Sequence, residues 1–282
     1  MKIFRLIAIH LIAAAGSVAG SEIAFGPVRA QPGESIRLVS LSRSSSGSVQ
    51  VIKDGQTRNG TIRLTRERDM SWTFRAPEAD GTLRGMVSVA KIGTSSTITL
   101  DGKEEKSEDV SPLNGMMFAM TKKPSSDWKF ELDGSVPMHR IQSDIDELTV
   151  YLKRRWYPER VVKVGDSWEF DPMWLRMIIN KDLKHAQTIG TMKLRQVRRG
   201  VQKDIAVIDV SVRSSGGDFK ADGSQTKMRL ELSGQVLVNL KTMLDEQLDL
   251  EGVLVSKTGT VTEEKTVTLP LSLRVTKSIV GH

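Results

Sequence analysis

From Ile36 onward, apolar and polar residues alternate with a period of two. Ile36/Leu38, Ile62/Leu64, Trp72/Phe74, Val87/Val89, Ile98/Leu100 and Trp128/Phe130/Leu132 follow this rule in the first half. Trp168/Phe170, Met192/Leu194, Ile208/Val210/Val212, Met228/Leu230/Leu232, Val236/Val238/Leu240, Leu248/Leu250 and Val267/Leu269/Leu271/Leu273/Val275 follow it in the second. Alternation places the apolar side chains of a strand on one face and the polar ones on the other. Half-buried strands of this kind belong to antiparallel sheets, because parallel strands read as continuous apolar runs. Asp-Gly pairs at 54–55, 80–81, 101–102, 133–134 and 222–223, and Asn-Gly at 59–60, tolerate positive φ and predict tight turns. The expected fold is mostly β: two similar antiparallel β-meander units, curved as half-barrel or sandwich, joined by a helical linker. Pro270 lacks a backbone donor, so the 267–275 strand is expected at a sheet edge, or with Pro270 at a bulge.

Two segments break the period. Residues 143–156 read as a helix, with Ser143 as cap and Asp146 and Glu147 near the positive end of its dipole. Ile145, Leu148, Leu152 and Trp156 fall near one face, and Pro158 ends it. Residues 171–186 read as a second helix, opened by Asp171-Pro172, or as a loop after the Trp168 strand. The halves also overlay. Residues 33–38 match 165–170, residues 60–64 match 190–194, and Ile98, Leu100 and Gly102 match Leu230, Leu232 and Gly234, at offsets of 130–132. The expected organisation is a leader at 1–19, an N-terminal β unit at 20–137, a helical linker at 138–160 and a C-terminal β unit at 161–282.

Val162-Lys163-Val164-Gly165-Asp166-Ser167-Trp168 resembles a motif in a family of exported bacterial β-rich proteins, a domain of unknown function. The same family shows an early Pro-Gly-Glu strand, here Pro32-Gly33-Glu34, and a late Gly-x-Val-x-x-(Asn/Asp)-Leu strand, here 234–240. The resemblance implies the fold and an exported location. It implies no activity, cofactor or partner.

The first twenty residues carry an address. Lys2 and Arg5 precede an apolar run at 6–15, and Ser17-Val18-Ala19 supplies a small-x-small cleavage pattern, as in a secretory signal peptide. That run is shorter than the ~20 residues a membrane-spanning helix needs, and no later stretch approaches that length. The expected location is therefore periplasmic or extracellular in a bacterium, with no transmembrane segment. The chain has no cysteine, which excludes disulfides, lipid attachment through an N-terminal cysteine, and thiol chemistry. The formal charge is +7, and two of the cations leave with the leader. A mildly basic exported chain suits lipid headgroups or anionic envelope polymers. Export excludes nucleic acid as a partner.

Little in the sequence points to catalysis. His139, His185 and His282 have no His or Cys partner at metal-ligand spacing. There is no Gly-x-Ser-x-Gly elbow and no phosphate-binding or dinucleotide loop, so no cofactor is expected. Asp166-Ser167 reads as a turn feeding a strand. Glu104, Glu105, Glu108 and Asp109 read as a solvated acidic loop, and Asp144 and Asp245 as acids that a hydrolase would have to bring together. Lys153, Arg154, Arg155 and Arg160 cluster at the linker, and Arg195, Arg198 and Arg199 at a hairpin, forming a candidate anion-binding rim. Trp156, Met173, Trp174 and Met177 are candidate apolar ligand contacts, since Met adapts to irregular surfaces. These features suit a non-catalytic envelope binding module for an amphipathic or anionic ligand. The alternatives are an assembly protein pairing through edge strands and an envelope-polymer hydrolase.

Overall fold

The computed structural model describes residues 22–132, 141–142, 144–146, 148–149, 156–171, 187–219, 224–260 and 262–281. The alternating segments form strands: β1 (Glu22–Ile23), β2 (Ser35–Lys53), β3 (Gln56–Phe74), β4 (Leu83–Leu100), β5 (Lys103–Val110), β6 (Met117–Lys122) and β7 (Lys129–Glu131). After the linker come β8 (Val162–Lys163), β9 (Ser167–Phe170), β10 (Gln187–Arg198), β11 (Ile205–Phe219), β12 (Gln225–Asn239), β13 (Leu244–Gly259) and β14 (Glu263–Val280). The mostly β expectation holds, and the sheet is curved and antiparallel without closing into a barrel. Strand lengths exceed the sequence reading. β2 continues through Ser40-Leu41-Ser42-Arg43-Ser44, where serines occupy the inward register that Ile36 and Leu38 began.

Both halves belong to one sheet. Its order is β7-β6-β4-β3-β2-β14-β13-β12-β11-β10-β9, with β5 also on β4. β14 pairs with β2 from Glu263↔Lys53 to Val280↔Ser35, so the last strand docks on the first long one. β1 pairs with β8, tying the residues before β2 to those before β9. The turns before β2 and β9 are built alike. Gly33 (φ 91°) donates its N–H to Phe74 and Gly165 (φ 98°) to Leu194, each on the next strand of the sheet. The acid that follows caps the turn in both: Gln31 N–H donates to Glu34 Oε2 at 2.6 Å, and Lys163 N–H to Asp166 Oδ2 at 3.0 Å. The other two sequence matches do not share a register. Gly190 lies across from Phe170 on β9, whereas Gly60 lies across from Val49, far along β2.

The turn chemistry is partly as expected. Asp54 (φ 50°) and Gly55 turn β2 into β3, and Asp101 (φ 51°) and Gly102 turn β4 into β5. Asn59-Gly60 is no turn; it lies inside β3, paired with β2 and β4. Pro270 takes the bulge option. β14 is central, and its pairing with β2 is interrupted between Thr268 and Ser272, the stretch that holds Pro270. The acidic run 103–110 is the exposed edge strand β5, not a loop. Its charges on an open edge oppose pairing with further strands.

One face of the sheet and the helical segment enclose a single apolar core drawn from both halves. Residues 141–142, 144–146 and 148–149 are helical, and Ser143, the expected cap, lies outside the described residues. Ile141, Ile145 and Leu148 are buried in that core, and Asp144 accepts a 2.5 Å hydrogen bond from Ser111 Oγ. The second expected helix, 171–186, falls almost wholly outside the described residues, as does the leader. The opposite face is polar. Arg37–Asp69 (2.6 Å), Arg274–Asp249 (2.6 Å) and Arg229–Glu231 (2.6 Å) are ion pairs on it. A barrel wall facing lipid needs an apolar outer band, and these positions are charged. Among the described residues, no helix is long and apolar enough to cross a membrane.

Curvature sets one strict requirement. A Cβ on Gly252 would lie 1.8 Å from the Glu231 carbonyl oxygen, and one on Gly234 would lie 1.9 Å from that of Asp249. Both clashes are with backbone, which cannot rotate away. Gly252→Ala should therefore lower stability by about 2–3 kcal/mol in urea unfolding, with the m-value retained. A change within experimental error would show that β12 and β13 do not approach this closely.

Candidate functional site

The end of the sheet where β10 turns into β11 and β12 into β13 holds an open groove. The two hairpins are tied by Leu240 N–H donating to the Asp204 carbonyl at 2.9 Å. The segment before β2 joins them through Arg29 N–H to the Thr242 carbonyl at 2.7 Å. Between them lies a groove of about 560 Å³. Ile205, Leu237, Leu244 and Ile279 give it apolar walls, and its charged members are Arg198, Lys203, Lys277 and the acid Glu246.

A bulge decides how the acids of this region point. The β12–β13 pairing shifts between Leu237 and Val238, so Val238 faces Asp245 and Leu237 faces Gln247, leaving Glu246 as the extra residue. Consecutive acids consequently serve different sides. Glu246 pairs with Lys203 and accepts a 2.8 Å hydrogen bond from Asn239 Nδ2. Asp245 turns inward and pairs with Lys277 at 2.5 Å, both side chains being buried. The Lys277 ammonium lies 5.4 Å from the ring centroid of Trp156, a cation–π distance. Trp156 is buried, and its carbonyl accepts a 2.8 Å hydrogen bond from Trp168 Nε1. Phe25 stacks on Tyr157 at 4.6 Å beside it.

Three of the four described arginines expected to bind anions carry carboxylate partners. Arg160 bonds Asp166 at 3.1 Å on the turn before β9, and Arg195 lies 3.7 Å from Asp209 on the outer face. Arg199 pairs with Asp204, and its hydrogen bond holds that carboxyl below the usual aspartate range. Arg198 lines the groove. The structure thus gathers Arg195, Arg198 and Arg199 on one hairpin and leaves Arg160 on another element. Lys153, Arg154, Arg155, Met173, Trp174 and Met177 lie outside the described residues. Of the apolar candidates, Trp156 is a core anchor. Asp166-Ser167 is the turn expected, with Asp166 kept below the usual range first by the Lys163 N–H and then by Arg160. Asp144 and Asp245 hold different partners, Ser111 and Lys277. Among the described residues, no three His, Cys, Asp or Glu side chains gather where they could hold a metal ion.

No family model matches the chain, and no curated protein is similar to it in sequence. Solved structures with a weak likeness come from bacteria. An outer membrane channel from Pseudomonas putida is 8% identical, with 89% of this chain and 97% of that one covered and a TM-score of 0.21. A DUF1329 family protein from Desulfovibrio piger is 8% identical, with 83% and 84% covered and a TM-score of 0.14. A β-barrel-like protein of a domain of unknown function from Brucella abortus is 7% identical, with 86% and 99% covered and a TM-score of 0.15. Likeness at this level carries no argument about what this chain does.

The alternation pattern contained a signal for residues that the sequence reading passed over. Lys277 continues the inward register of Leu271, Leu273 and Val275, and Arg68 that of Met70 and Trp72. Ser40, Ser42 and Ser44 do the same on β2, and Ser40 lies directly across from Arg68. A polar residue in the apolar register of a long strand marks a buried polar group. Arg68 is 2% exposed, and the Ser40 and Ser44 hydroxyls are buried without a hydrogen bond among the described residues.

Two outcomes follow for this region. Lys277→Met should cost about 3–5 kcal/mol in urea unfolding by stranding Asp245, and Lys277→Met with Asp245→Leu should recover most of it. Equal losses in the single and double variants would refute the pairing. A carboxyl whose pKa is lowered by folding adds stability above its ordinary pKa and loses it as pH falls through the folded value. Asp204 and Asp166 should accordingly titrate below ordinary aspartate in carbon-detected NMR, and Arg199→Gln should return Asp204 towards it. An unmoved Asp204 midpoint in that variant would contradict the Arg199 contact.

Proposed function

We propose that this is an exported, non-catalytic protein of the bacterial cell envelope that holds an amphipathic, anionic ligand at the open end of its curved sheet. The groove carries the reading. Its volume of about 560 Å³ is that of a small-molecule site. Its walls combine apolar side chains, suited to a hydrocarbon tail, with Arg198, suited to an acidic head, beside the Lys203–Glu246 pair. The leader-like 1–19 segment and the basic balance of the chain support export and an anionic partner. Assembly through edge strands has less support, because the free edge of β5 bears Lys103, Glu104, Glu105, Lys106, Glu108 and Asp109.

Native mass spectrometry of the protein purified from its own envelope, followed by denaturing extraction, tests this reading. The expected result is a co-purifying lipid or acidic glycan, with occupancy reduced about tenfold in Arg198→Glu/Lys203→Glu. A ligand-free mass in the wild type would overturn it.

A further inference from the structure

The β10–β11 loop presents Val201 at its tip, 108% exposed and the most exposed large hydrophobic residue among those described. The loop is braced from behind. Asp204 pairs with Arg199, accepts the Gly200 N–H at 3.3 Å, and lends its carbonyl to Leu240. Lys203 is held by Glu246. Val201 is therefore offered to solvent on a fixed turn, with little ordering left to occur on contact. The surroundings are basic: Arg198, Arg199, Lys203 and Lys241 stand against two carboxylates, Asp204 and Glu246, which pair with Arg199 and Lys203 and leave Arg198 and Lys241 in excess. Val201, Lys203 and Lys241 line one shallow hollow.

We infer that this tip docks on an anionic bilayer surface, with Val201 entering the headgroup region and the cations around it meeting lipid phosphates. An apolar side chain beside Lys203 and Lys241 suits an interfacial contact, since burial and headgroup attraction then add. A protein partner would need a larger apolar area than one valine supplies. Arg198 and Lys203 also line the groove, whereas Val201 and Lys241 do not, so variants of the latter two separate bilayer contact from occupation of the groove.

Flotation of the protein without its leader with two kinds of vesicle tests the inference. One is phosphatidylglycerol and phosphatidylcholine in equal parts, the other phosphatidylcholine alone. The wild type should float with the first and not the second, and added salt should release it. Val201→Asp should weaken binding about tenfold and Lys241→Glu about fivefold, with unchanged thermal unfolding. Val253→Asp, at another exposed valine on the outer face, should bind as the wild type does. Equal flotation with both vesicles, no flotation with either, or undiminished binding by Val201→Asp would overturn the proposal.

Discussion

The pairing of β14 with β2 is the interaction on which the rest of this structure depends. A sheet with one apolar face must cover that face. Joining the last strand to the first long one makes a single sheet, and its inner face then becomes the wall of one core. Without that ladder, β2 and β14 would each present a long unpaired edge beside exposed apolar residues, which invites aggregation. The contact closes the longest loop in the chain, so its entropy cost falls late and the core is completed only when both ends have been made.

The rim inherits its geometry from this arrangement. Because β14 lies beside both β2 and β13, Lys277 stands on the inner face next to Asp245. The bulge between Leu237 and Val238 lets one acid turn in and the next turn out. A buried pair of this kind adds little net stability, yet leaving either partner alone is costly, so it pins the position of Trp156 and the groove floor. The groove and the braced hairpin tip consequently share one rigid end of the sheet, with a hydrophobic point outside and an amphipathic recess behind it.

Strand positions were largely legible because alternation is a local property, and the Asp-Gly turns at 54–55 and 101–102 were legible for the same reason. Asn59-Gly60 misled because the same dipeptide serves a different need. Gly60 sits where the Thr99 carbonyl leaves no room for a Cβ. The middle of β2 was missed because serine does not announce a strand, although it faces inward there. Of the site, the basic hairpin at 195–199 was visible, but pairing of Arg195 and Arg199 with acids was not, since Asp209 and Asp204 are reached by strand register and turn geometry.

The sequence by itself determined the class of structure: antiparallel strands with one buried face, a helical interruption, and no cysteine chemistry. These follow from side-chain period and residue type, which act over a few neighbours. Whether the halves form one sheet or two, which acid meets which base, and where the open end lies were decided only in the tertiary structure. Those outcomes depend on register between strands more than a hundred residues apart, and a single bulge is enough to redirect a side chain from solvent to core.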